Sequence, residues 1–130
     1  MEFTNQEKYE AVTLTSSQWV DLIGKAQAAS KSEQHMFILR CLANEQKISN
    51  GVILAFRGNV IEDATSRGTA ALTVDVISDW AKEITGNTKA AIFEWNPLVG
   101  EWSIGSYQLQ ALRKALGCEN FIPKGSGVTR

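Results

Sequence analysis

Between residues 90 and 104 the chain reads Ala-Ala-Ile-Phe-Glu-Trp-Asn-Pro-Leu-Val-Gly-Glu-Trp-Ser-Ile, and the Asn96-Pro97 pair at its centre admits few backbone paths. Asn is favoured at the first position of a type I turn. Pro fits the second, because its ring fixes φ close to the value required there. Gly100 can take the left-handed conformation that closes a four-residue hairpin loop. This turn pairs Asn96 with Glu101, Trp95 with Trp102, Glu94 with Ser103 and Phe93 with Ile104. In that register Phe93, Trp95, Trp102 and Ile104 share one face, and Glu94 and Ser103 share the other. Turn chemistry and hydrophobic alternation are independent signals. Their agreement matters because a slip of one residue would move every side chain to the wrong face.

The remainder of the chain is read around this hairpin. Residues 9–14 alternate as a short strand does, with Tyr9, Ala11 and Thr13 on one side and Glu10, Val12 and Leu14 on the other. Thr15 and Gln18 have capping-box spacing. Trp19, Leu22, Ile23 and Ala26 then recur as one helical face, with Asp21 and Lys25 spaced for a favourable pair. Ser30 and Glu33 repeat the capping spacing. Residues 35–43 are apolar enough for a buried strand, but their Met, Leu, Ala and Arg content favours helix, giving a helical hairpin.

Ser49-Asn50-Gly51 breaks the pattern. Residues 52–57 read as a strand, Gly58-Asn59 as a two-residue turn and residues 60–62 as its antiparallel return. Residues 63–72 read as a polar loop. Thr73 caps a third helix with Val76, Ile77, Trp80, Ala81 and Ile84 as its stripe, stopped by Gly86-Asn87. Ser106 caps a last helix lined by Leu109, Leu112 and Leu116 and ended by Gly117. The expected fold class is α+β: a mostly antiparallel sheet of about five short strands with about four helices packed on one face. One globular domain is expected over residues 1–130, with 1–8 and 123–130 as flexible tails.

Composition narrows the function classes. The chain has 13 basic and 14 acidic residues, a net charge of −1, and its densest basic point is only Arg113-Lys114. Nucleic-acid binders concentrate positive charge, so no nucleic-acid partner is expected. Cys41 and Cys118 are the two cysteines and form no CxxC motif. They are expected to stay unbonded, with Cys41 a small core residue. No basic stretch followed by an apolar one opens the chain, and no apolar run approaches the ~20 residues that span a bilayer. No membrane partner and a cytoplasmic location are therefore expected.

The residues that carry chemistry are sparse. His35 is the one histidine, and it lies at the start of an apolar helix rather than beside a nucleophile, so no catalytic residue is assigned. One histidine and two isolated cysteines do not make a zinc set, and Asp75 and Asp79 read as a solvated helix face, so no metal is assigned. No phosphate loop or dinucleotide fingerprint occurs, and no cofactor is expected. Trp95 and Trp102 suit either core packing beneath a helix or an aromatic patch for a partner.

Two candidate binding regions remain. One is the hairpin tip, with Leu98, Val99 and Glu101; its apolar residues either fold back onto a helix or meet a partner. The other is the span of residues 57–67, where Arg57, Glu62, Asp63 and Arg67 have the chemistry to hold a small anion. The expected function is a small non-catalytic protein-binding module, an accessory or inhibitor protein of a microbe or mobile element. Its partner is another protein or a second copy of itself. The alternative is a small-ligand binder or small enzyme using residues 57–67.

Overall fold

The computed structural model describes residues 9–58 and 64–117. Among them are β1 (Glu10–Ala11), α1 (Ser16–Ala28), α2 (Ser32–Glu45), β2 (Lys47–Ser49), α3 (Asn50–Phe56), α4 (Ala64–Thr85), β3 (Ala90–Ala91), β4 (Glu94–Asn96), β5 (Glu101–Ser103) and α5 (Ser106–Ala115). The architecture mixes helix and strand, as expected, but helix dominates and the five strands do not form one sheet. β2, β5 and β4 make an antiparallel sheet in that order, while β1 and β3 pair separately and in parallel. The expected tails, 1–8 and 123–130, lie outside the described residues.

α1 packs against α2, α4 and α5 and is the centre of the core. Its N-terminus carries the expected capping box. The Gln18 backbone N donates to Thr15 Oγ1 at 3.1 Å, and the Thr15 backbone N donates to Gln18 Oε1 at 2.9 Å. Trp19, Leu22, Ile23 and Ala26 are buried along one face. Lys25 pairs across to Glu83 on α4 at 3.1 Å, so its partner is not the expected Asp21. α2 covers residues 35–43 as helix. Its N-cap is Lys31 without a side-chain bond, so Ser30 and Glu33 do not form a second capping box.

Gln108 on α5 is almost fully buried and ties three segments together. Its Oε1 accepts from the Leu14 backbone N at 2.7 Å and from Trp19 Nε1 at 3.1 Å. Its Nε2 donates to the Val12 carbonyl at 2.7 Å. One amide thereby satisfies the chain leaving β1, the indole of α1 and its own burial. The cap of α5 is Gly105, not Ser106, and it makes no side-chain bond.

Two expectations are overturned between residues 49 and 73. Residues 52–57 are not a strand: α3 occupies Asn50–Phe56, with Ser49 as its N-cap, whose Oγ accepts from the Val52 backbone N at 3.1 Å. The polar triplet that reads as a break is the helix start. Ile53 and Leu54 are buried while Val52 and Phe56, four apart, stay exposed, as a helix requires and a strand does not. Gly58 does take a positive φ, +86°, but it follows the C-cap Arg57 and ends a helix. The expected return strand, residues 60–62, lies outside the described residues. The expected loop over residues 63–72 is also wrong from Ala64 onward, where α4 begins. Thr73 therefore lies inside a helix, buried, and does not cap it. Ala70, Val74, Ile77 and Ala81 form the buried stripe, and Val76 is exposed.

The hairpin register is as the turn chemistry requires: Glu94 opposes Ser103, Trp95 opposes Trp102 and Asn96 opposes Glu101. The ladder stops there. Phe93 and Ile104 are therefore not a ladder pair, and Ile104 donates its N–H to the Gln46 carbonyl at 3.1 Å on the β2 side. The other expected strand is shorter than residues 9–14, covering Glu10–Ala11 alone.

Candidate functional site

The tip of the hairpin is held by its own backbone. Gly100 donates its N–H to the Asn96 carbonyl at 2.8 Å, Leu98 donates to Asn96 Oδ1 at 3.0 Å, and Gly100 has φ +66°. From outside the hairpin, the Asn50 backbone N donates to the Gly100 carbonyl at 2.9 Å, anchoring the tip to the start of α3. On this fixed loop Leu98 is 92% exposed and Val99 59% exposed, so neither folds back onto a neighbouring helix. Glu101 is partly buried in the central strand β5, between Asn96 and Ser49.

Behind the tip, the hairpin and α4 enclose a groove. Trp95 and Trp102 lie on the same side of the sheet with ring centroids 4.4 Å apart, Trp102 buried and Trp95 47% exposed. One depression, about 390 Å³, is lined by Asn50, Gly68, Ala71, Asp75 and both indoles. A second, about 270 Å³, is lined by Asp75, both indoles, Tyr9, Lys82 and Phe93 among others. Asp75, Trp95 and Trp102 belong to both, so the two depressions meet at these residues. Asn50 is 5% exposed, and its Oδ1 has no hydrogen-bond partner among the described residues.

The charges around the groove are unevenly matched. Lys82 lies 3.8 Å from Asp79 and 5.4 Å from the centre of the Tyr9 ring. Asp75 has no ion pair among the described residues. Burial pushes its carboxyl above the ordinary value of 3.8, Asp79 adds to the shift and Lys82 opposes it. A pKa raised on folding contributes stability below the unfolded pKa and loses it as pH rises through the folded one. Ionised Asp75 therefore opposes folding at neutral pH. Asp75→Asn is expected to melt higher than the parent chain near pH 7 and to lose that advantage near pH 3, a difference read from melts across this range. An Asp75→Asn chain that melts lower at every pH would contradict this.

Among the described residues, Arg57 does not line this groove. Arg57 is the C-cap of α3, and its Nη1 donates to Gln34 Oε1 at 3.0 Å, which ties it to α2. Arg67 lies in the first turn of α4. Glu62 and Asp63 lie outside the described residues. His35 is buried with its ring centroid 4.9 Å from that of Trp80 in an edge-to-face arrangement; burial pushes its pKa below the usual value, with the Lys31 charge acting in the same direction. Cys41 is a half-buried free thiol, pushed up by burial, and Cys118 lies outside the described residues. Among the described residues no cluster of three or more potential ligands would hold a metal, and no helix is long and apolar enough to cross a membrane.

Sequence reasoning read Asp75 and Asp79 as a solvated helix face, and both are exposed; it gave no sign that Asp75 borders the hairpin, and it passed over the buried Asn50 as part of a break. Only the approach of α4 to the hairpin gives Asp75 and Asn50 a shared position. Comparison with protein families, curated proteins and solved structures finds no match to this chain.

Proposed function

We propose that the chain is a small non-catalytic protein-binding module of accessory or inhibitor type, and that its contact surface is the hairpin tip with the tryptophan flank behind it. The observation that carries this reading is the 92% exposure of Leu98 on a loop whose backbone is hydrogen-bonded internally and to α3. A turn needs no apolar side chain at its outermost point. Val99 and Trp95 extend the same exposed apolar region toward the groove.

A rigid presentation favours binding, since little loop entropy remains to be lost on association. Loops fixed on a scaffold are common sites of recognition, and tryptophan is enriched among the residues that dominate interfaces. Burying a leucine and a valine fully against a partner contributes about 1.5–3 kcal/mol each before association costs.

Leu98→Ser combined with Val99→Lys tests the reading. Both side chains are already in water, so the melting temperature is expected to stay within about 2 °C of the parent, a surface-substitution effect. Association with the natural partner is expected to be lost. If the partner is a second copy, sedimentation velocity shows a concentration-dependent dimer in the parent and a monomer in the variant. Unchanged association of the double variant removes the tip from the interface.

A further inference from the structure

We propose that the groove between α4 and the hairpin is a receptor for one positively charged side chain, a lysine or arginine, presented by the protein that docks on the hairpin tip. The source of that side chain rests on the reading above, while the chemistry of the groove stands on its own observations.

The first observation is that a carboxylate and two indoles line the same groove. Asp75, Trp95 and Trp102 line both depressions. An indole face attracts a cation through its quadrupole, and the attraction grows when the cation is partly desolvated. A carboxylate beside it supplies the counter-charge and accepts the N–H donors. A planar guanidinium can stack on one indole while donating sideways, and an ammonium on a long stem can reach the same point.

The second observation is that, among the described residues, the negative charge of Asp75 is left over after internal pairing. Lys82, the cation at one end of the groove, lies beside Asp79 and over Tyr9. Asp75 makes neither an ion pair nor a hydrogen bond among the described residues. Among the described residues lining the larger depression, none is basic. Asn50 adds a buried amide oxygen without a partner among the described residues, a second acceptor on that wall. Groups that accept hydrogen bonds beside groups that attract cations select a positive ligand and reject a carboxylate or phosphate.

The third observation is position. Trp95 is part of β4, which runs into the turn carrying Leu98 and Val99, so the groove mouth and the tip belong to one continuous surface. A partner seated on the tip would place its next side chain over Trp95.

The test uses the full chain labelled with 15N and three probes: Nα-acetyl-arginine amide, Nα-acetyl-lysine amide and the neutral Nα-acetyl-norleucine amide. The readout is the indole N–H cross-peaks, assigned with Trp95→Phe and Trp102→Phe chains. Both cationic probes are expected to shift the Trp95 and Trp102 peaks saturably, with Kd on the order of millimolar, as fits a single cation–π contact with a counter-charge. The Trp19 peak is expected to stay in place because that indole is bonded to Gln108 in the core. Asp75→Asn is expected to weaken the cationic probes about fivefold, the loss of one partly exposed charge pair.

Equal shifts with norleucine, or an Asp75→Asn chain that binds the cations as well as the parent, would overturn the inference. Putrescine binding on the order of a hundredfold tighter than either capped amino acid would overturn it in favour of a free amine. The tip reading fails separately, through unchanged partner association in the Leu98→Ser, Val99→Lys chain.

Discussion

Replacing Gln108 with leucine is expected to lower the melting temperature by roughly 10 °C, the consequence of about 3 kcal/mol lost in a domain of this size. The amide accepts from the Leu14 backbone N and from Trp19 Nε1 and donates to the Val12 carbonyl. Leucine fills a similar volume and makes none of these bonds. Two buried donors are then left without partners, at about 1–3 kcal/mol each. Trp19→Phe removes one of the donors, so it is expected to cost less in the Gln108→Leu background than in the parent. A double-mutant cycle measures that coupling. Gln108→Glu supplies a finer check. Protonated, the carboxyl can accept from both donors and donate to Val12. Ionised, it buries a charge and loses that donor. Burial raises the folded-state pKa, so this variant's stability is expected to be close to the parent at low pH and to fall as pH rises through that pKa. A Gln108→Leu chain within about 1 kcal/mol of the parent would show that the network holds little of the fold.

The second large effect separates the observed α4 from the loop that its sequence suggests. Ala70 is fully buried and Leu72 is 65% exposed. Ala70→Asp is expected to cost about 3–5 kcal/mol, since it leaves an uncompensated charge in the core. Leu72→Asp is expected to stay within about 0.5 kcal/mol, as exposed positions do. A loop would give the opposite order, because leucine would then be the anchoring residue and alanine the bystander. Denaturant unfolding of the two variants decides between them.

The reading of residues 49–73 failed for a physical reason that particular residues illustrate. Val52, Ile53 and Phe56 have strand propensity, and Thr65, Ser66, Gly68 and Thr69 are poor helix formers. Both preferences are small beside the burial of Ile53 and Leu54 in one segment and Ala70 and Val74 in the other. The burial of each pair depends on packing against other elements, so the dominant contribution was invisible in the local sequence. Gly58 shows how a correct local inference supports a wrong element. Its positive φ was legible, but a left-handed glycine suits a hairpin turn and a helix end equally. The candidate site follows the same division. Leu98 and Val99 stand out in sequence as apolar residues at a turn, whereas Asp75 looks like any carboxylate on a helix surface.

The sequence by itself determined the features whose energies are short-range. Asn96, Pro97 and Gly100 fix the turn, and the turn fixes the Trp95–Trp102 register. Thr15 and Gln18 fix the start of α1, and the spacing from Trp19 to Ala26 fixes the face it buries. The tertiary structure alone decided that the strands divide into a three-stranded antiparallel sheet and a separate parallel pair, and that residues 50–56 and 64–72 are helical. It also decided that Gln108 joins α5 to α1 across 89 residues and that α4 brings Asp75 beside two tryptophans. These depend on burial between segments far apart in the chain, where the gain from excluding water from several side chains at once exceeds any preference of a single residue.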